Sequence, residues 1–90
     1  MHDFHWLNKQ GVQSGSGFVV QFTGRFTAEY REAGRVLEVE VEAGIIGGNQ
    51  AICYDKFAFR NWSSSVTEQQ RVADNFRDAL VFQGLVPAPS

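Results

Sequence analysis

Three glutamates at alternate positions form the most distinctive polar pattern in the sequence. Glu38, Glu40 and Glu42 would share one face of an extended strand, about 6.6 Å apart. Like charges at this spacing create a negative field that attracts a basic partner and speeds its encounter. The spacing is too wide for one tightly coordinated cation, so it does not indicate a metal site. A second interpretation stays open, because charges on a solvated strand face also discourage edge-to-edge aggregation.

Two other sets of residues could do chemistry near the N-terminus and in the middle of the chain. His2, Asp3 and His5 include metal-ligand types, but the sequence supplies no obvious further ligand and chain ends usually fray. Cys53 could act as a nucleophile with His5 as its base. A catalytic thiol needs an electropositive, partly exposed setting, whereas Cys53 stands in an apolar predicted strand. We therefore expect neither a metal site nor a catalytic thiol.

The glycine-rich segment Ser14-Gly15-Ser16-Gly17 lacks the residues of a phosphate-binding or nucleophile motif. A Walker loop ends in Gly-Lys-Ser/Thr, and a nucleophile elbow has a glycine two residues to each side of its serine. We therefore expect a flexible loop over residues 8–17.

Four aromatic residues in a short stretch could stack nucleobases. They are Tyr54, Phe57, Phe59 and Trp62. Single-strand binders combine such aromatics with a basic groove, and Lys56 and Arg60 lie nearby. The chain as a whole is acidic, however, so packing in the core is the better interpretation.

Length and charge bound the class of protein. Ninety residues predict a single domain over residues 1–90, because a second core would leave each half too small. Eight basic and ten acidic residues argue against sequence-independent nucleic-acid binding and against a polybasic membrane surface. Cys53 is the only cysteine, which excludes an intramolecular disulfide and suits a reducing compartment. With no leader pattern and no apolar run of about 20 residues, we expect a soluble cytoplasmic protein without a cofactor.

The clearest predicted element is an amphipathic helix over residues 67–83. Its first turn allows two capping boxes, Thr67 with Gln70 or Ser65 with Glu68. The apolar residues at helical spacing are Val72, Phe76, Ala79 and Leu80. A glycine follows the helix and a proline forbids its continuation, so residues 87–90 are predicted to be a frayed tail.

Period-2 alternation predicts a sheet ahead of the helix. Strands are expected at residues 3–7, 18–23, 36–42, 51–54 and 56–62, with a hairpin turn at residues 32–34 and a connection at 43–50. At Gly24 either one long strand bends or a tight turn joins two strands. The predicted fold is α+β, an antiparallel β-meander of about five strands with one C-terminal helix packed on the sheet.

The order of features over roughly residues 26–86 resembles a known family. A hairpin carries tyrosine and then glutamate, a later segment ends in tryptophan, and a helix closes on glycine. The matching residues are Tyr30, Glu40, Trp62, Asn75, Ala79, Leu80 and Gly84. This pattern resembles the immunity protein 74 family of bacterial polymorphic toxin systems.

The resemblance implies a small cytoplasmic protein that binds and blocks a cognate toxin without catalysis. Charge alone, not the family pattern, makes Glu38, Glu40 and Glu42 the candidate contact face. One alternative is a housekeeping protein-interaction module that dimerises through its sheet edge. Another is an enzyme with a pocket that the sequence does not reveal. We expect a protein partner, neither nucleic acid nor membrane, and a homodimer is possible.

Overall fold

Alternating apolar side chains build a curved sheet around one helix. A computed structural model describes residues 3–90, and in that part of the chain seven strands form one half-barrel in the order β1 to β7. The strands are β1 Phe4–Asn8, β2 Gly11–Ser14, β3 Phe18–Phe22, β4 Thr27–Glu32, β5 Arg35–Ile46, β6 Asn49–Tyr54 and β7 Val86–Pro89. A 3₁₀ helix at Ala58–Asn61 and helix α1 at Val66–Phe82 lie between β6 and β7.

The α+β class with one C-terminal helix is confirmed, but the predicted sheet is wrong in two respects. It has seven strands rather than about five, and it is not purely antiparallel. Strands β1 to β6 form an antiparallel meander, and β7 then pairs in parallel with β6. A parallel neighbour needs a long crossover, which the segment containing α1 supplies.

The flexible loop predicted for residues 8–17 is wrong, because this segment contains β2. Val12 pairs with Val20 of β3 and is fully buried, and Ser14 is also buried. Only one side chain of β2 is a large apolar residue, so period-2 hydropathy was too weak to reveal the strand.

The frayed tail predicted for residues 87–90 is also wrong, because most of it belongs to β7. The backbone N–H of Ser90 donates to the carbonyl of Tyr54 at 2.9 Å, so residues 86, 88 and 90 direct their backbone groups towards β6. The backbone nitrogens of Pro87 and Pro89 therefore face the outer edge of the sheet, where no N–H donor is required. Prolines there also prevent another strand from pairing with this edge.

The strand predicted for residues 56–62 is instead a tight helical turn. The buried residues Ala58, Phe59 and Trp62 follow a helical spacing rather than an alternating one. The carboxylate of Asp55 accepts from the N–H of Phe57 at 2.9 Å and starts this turn. The turn predicted at Asp55-Lys56 is therefore confirmed, although the segment after it is helical rather than extended.

Both long hairpins close on two-residue turns with positive φ. Ala33 has φ 53° and Gly34 has φ 78°, and the next hairpin turns at Gly47 and Gly48 with φ 58° and 81°. The first turn is where the sequence placed it. The predicted connection at residues 43–50 is shorter than expected, since β5 continues to Ile46. Of the two interpretations at Gly24, the turn between two strands is confirmed.

Helix α1 fills the concave side of the half-barrel. Ser65 is its N-cap and accepts from the N–H of Glu68 at 3.3 Å, so the Ser65 cap is the one that forms. The predicted apolar residues of the helix are all fully buried: Val72, Phe76, Ala79 and Leu80. The Phe76 ring lies 5.0 Å from that of Tyr54 and 5.6 Å from that of Phe59. The helix is thus the inner layer of the core.

Replacing Phe76 by alanine should lower the free energy of unfolding by about 3–5 kcal/mol, because it removes the ring that joins helix, sheet and 3₁₀ turn. Urea denaturation followed by circular dichroism measures this loss. Val81→Ala is the matched control, since Val81 is 53% exposed on the same helix and its truncation should cost little. Equal midpoints for the two variants would contradict this account of the core.

Replacing Ala33 by asparagine should stabilise the protein by about 0.5–1 kcal/mol. A positive φ strains a residue that carries a Cβ, and asparagine tolerates this conformation and is preferred at such hairpin turns. Ala33 is exposed, so the new side chain has room in solvent. Thermal melting measures the effect. A lower melting temperature than that of the unaltered protein would show that the turn is not strained as described.

Candidate functional site

The predicted acidic strand lies on the convex face of the sheet, away from α1. In β5 the side chains of Leu37, Val39 and Val41 are buried, and those between them are exposed. The alternation therefore presents the carboxylates of Glu38, Glu40 and Glu42 to solvent from one strand. We call these three residues, together with Glu29, the acidic face.

Glu29 joins this face through the strand register. It lies directly opposite Glu38 in the pairing of β4 with β5. Its neighbour Arg31 lies 4.0 Å from it and is a weak ion-pair partner. Among residues 3–90, no cation forms an ion pair with Glu38, Glu40 or Glu42. The acidic face therefore keeps a concentrated negative charge. Repulsion between its carboxylates destabilises the fold slightly, and a basic partner would relieve that repulsion.

A shallow groove of about 620 Å³ crosses the acidic face where β5 leaves β4 and joins β6. Its lining contains Glu38, Glu40 and Glu42 together with Phe26 and Asp55, which sequence analysis did not assign to a site. Phe26 is 57% exposed. It stands in the turn before β4, so its position on this face could not be read from strand alternation. The groove therefore combines carboxylates with one exposed aromatic ring.

The other candidates from the sequence do not assemble into a site. Cys53 lies on β6 and His5 on β1, and no hydrogen bond joins their side chains in residues 3–90, so they do not form a nucleophile and base. His2 lies outside the described residues. Within residues 3–90 there is no group of three or more histidine, cysteine, aspartate and glutamate side chains that could hold a metal ion.

The serine–glycine segment and the aromatic stretch have structural roles. Ser14 accepts from the N–H of Ser16 at 2.9 Å, which shapes the turn between β2 and β3. Of the four aromatic residues considered for nucleobase stacking, Tyr54, Phe59 and Trp62 are buried and only Phe57 is half exposed. The core-packing interpretation is therefore confirmed for three of them.

A buried polar contact that sequence analysis missed ties α1 to the sheet. Asn75 donates from its side-chain amide to the Tyr30 hydroxyl at 2.9 Å, and both residues are buried. Burial raises the pKa of Tyr30 to about 12, with the nearby Glu32 carboxylate adding to the effect. The Trp62 ring meets that of Tyr30 edge-on at 5.3 Å. Three residues that carry the family resemblance thus pack together in the core.

At the same end of the barrel, Arg71 of the helix holds two carboxylates. Its guanidinium donates to both oxygens of Glu32, at 2.7 and 2.9 Å, and to Glu68 at 2.8 Å. These hydrogen bonds lower the pKa of Glu32 and of Glu68, and they raise that of Arg71. Only an exposed helical arginine marks this cluster in the sequence, because its sheet partner is 39 residues away.

Comparisons of the chain with models of protein families, with curated proteins and with solved structures find no significant match. None of the helices in the described part of the chain has both the length and the apolarity to cross a membrane.

The Glu32–Arg71 contact predicts a specific loss of stability in acid. The folded-state pKa of Glu32 lies below its ordinary value of 4.5, so the contact stabilises the fold above that pH and is lost as the pH falls below it. Arg71→Met should cost about 0.5–1 kcal/mol at pH 7, because the pair is partly exposed and screened. It should also reduce the fall in stability below pH 4.5.

Urea midpoints measured from neutral pH down to about pH 3 test this expectation across the range where carboxylates titrate. Arg77→Met is the control, since Arg77 is an exposed arginine of the same helix outside this cluster. If Arg71→Met and the unaltered protein lost stability in parallel below pH 4.5, the contact would not be what holds the pKa of Glu32 down.

Proposed function

We propose that the protein is a non-catalytic binding protein whose acidic face docks on a basic surface of a partner protein. The observation that carries this proposal is the unneutralised row of Glu38, Glu40 and Glu42 on an ordered strand. A rigid sheet fixes the backbone of these residues, so that binding orders only their side chains, and their shared charge favours rapid association. The exposed ring of Phe26 supplies an apolar anchor in the same groove.

Most polar groups with shifted pKa values make structural contacts away from the acidic groove, and the exception is Tyr54, whose pKa is raised by burial and which contributes to the groove lining. Tyr30, Glu32 and Arg71 are engaged with each other or with neighbours where the helix meets the sheet. Four carboxylates line the acidic groove, and they suit recognition of lysine and arginine side chains. Together with the resemblance to the immunity protein 74 family, this makes a cognate toxin in the cytoplasm the proposed partner.

One observation favours a second candidate, an interaction module that dimerises through its sheet edge. Trp6 of the edge strand β1 is 51% exposed and lies 6.0 Å from the ring of Phe82, which is 42% exposed. Sedimentation equilibrium distinguishes the two candidates, because the dimer requires self-association that Trp6→Ser abolishes, whereas toxin binding by the acidic face does not.

Charge reversal of the acidic face should weaken partner binding while the fold stays intact. A variant with Glu38→Lys, Glu40→Lys and Glu42→Lys should bind the product of an adjacent toxin gene at least tenfold more weakly, because it replaces attraction by repulsion. Isothermal titration calorimetry with the purified toxin domain gives the dissociation constant. Affinity of the unaltered protein should also fall with rising salt.

A matched pair of double variants separates the position of the charge from its amount. Glu38→Lys with Glu40→Lys changes the net charge as much as Asp3→Lys with Asp74→Lys, and the latter two sites are exposed and lie off the acidic face. Only the first pair should weaken binding. Unchanged binding by that pair and by the triple variant would remove the acidic face from the proposal.

A further inference from the structure

A second groove, of about 610 Å³, lies beside the second half of β5, residues 41–46, and differs chemically from the acidic groove. Apolar side chains form its wall: Trp6, Phe22, Ile45, Ile52 and Leu85. Ile45 is 70% exposed, the largest exposed fraction of any residue in this wall. Exposed apolar surface of this kind indicates an interaction site when a specific occupant fits it.

The second half of β5 also has an unpaired edge along this groove. The N–H of Val41 donates to the carbonyl of Phe26 on the β4 side, whereas the carbonyl of Glu40 accepts from Asp55 on the β6 side. Backbone groups alternate along a strand, so Ala43 and Ile45 direct their N–H and C=O groups away from β6. The pairing with β4 ends at Glu40, so within residues 3–90 no strand pairs with this edge.

The rim of the groove is positively charged. Lys9 and Arg25 line it, and no aspartate or glutamate is among the described residues that do. This is notable in a chain with net charge −2, whose carboxylates concentrate on the acidic face instead. The groove therefore offers apolar contacts, backbone hydrogen-bonding groups and two cations together.

We propose that this groove binds an extended peptide segment of a partner protein, which adds to β5 as a strand and carries apolar side chains at alternate central positions and acidic residues at its ends. Strand addition satisfies the free N–H and C=O groups of Ala43 and Ile45. Apolar side chains of the peptide would enter the wall, and acidic ones would reach Lys9 and Arg25. This site is distinct from the acidic face and does not depend on the proposed function.

Two other occupants fit the groove less well. A second copy docked edge to edge would bring Lys9 and Arg25 of both copies together, and like charges in proximity are unfavourable. A small amphiphilic anion would match the wall and the rim, but it would leave the backbone groups of Ala43 and Ile45 without strand partners. An unpaired strand edge next to two cations therefore favours a peptide over either alternative.

The probe is a fluorescein-labelled peptide of about nine residues with alternating valine and threonine at its centre and glutamate at both ends, tested against the full chain by fluorescence anisotropy. Saturable binding is expected. Amide hydrogen exchange, measured by nuclear magnetic resonance, should slow at Ala43 and Ile45 in the complex. It should stay unchanged at Gly44, whose N–H already faces β6.

Two comparisons make the result decisive. Lys9→Glu with Arg25→Glu should weaken peptide binding at least tenfold, whereas Lys56→Glu with Arg60→Glu, of equal net charge and away from the groove, should not. A peptide N-methylated at alternate residues should bind poorly, since it cannot pair as a strand. Binding that survives N-methylation, self-association through this edge, or no binding by the unaltered protein would each overturn the proposal.

Discussion

Strand β5 changes its hydrogen-bonding partner halfway along its length, and the surface of the molecule depends on that change. Its first half pairs with β4 and its second half, from Val41 onward, pairs with β6 on the opposite side. Twelve residues in one strand thus serve two neighbours that do not overlap. The offset leaves one edge of each half uncovered, and both grooves lie beside this strand.

Helix α1 keeps β5 in this position by occupying the concave side of the sheet. Its four fully buried apolar residues meet the inward side chains of the strands, so the acidic side chains of β5 have only the convex side available. Two polar contacts fix the helix at one end: the Asn75–Tyr30 hydrogen bond inside and the Arg71–Glu32 pair at the surface. Apolar burial supplies stability there, and the polar contacts fix the orientation of the helix.

The charges of the chain are segregated although their sum is small. Four glutamates of β4 and β5 lie on the convex face, and Lys9 and Arg25 line the apolar groove. Surfaces of opposite sign on one small domain suit contact with two different partners, or with two regions of one partner. A basic surface would recognise the acidic face, and an acidic extended segment would recognise the apolar groove.

The sequence alone determined the features that depend on neighbouring residues. The helix with its buried stripe, the turn at Ala33-Gly34, and the alternation that exposes Glu38, Glu40 and Glu42 all follow from local spacing and turn chemistry. The sequence did not reveal β2, because its strand character rests on hydrogen bonds to β3 rather than on apolar alternation. It did not reveal β7 for a similar reason, since two prolines are compatible with a strand only at a sheet edge.

Contacts between distant residues were decided only by the tertiary structure. Asn75 and Tyr30 are 45 residues apart, and Arg71 and Glu32 are 39 apart, so no local pattern pairs them. The apolar groove with its basic rim gathers residues from β1 and β3, from two turns, from β5 and β6, and from the segment after α1. The curvature of the sheet brings these residues together, and that curvature arises from strand twist and from packing around one helix, which local spacing does not encode.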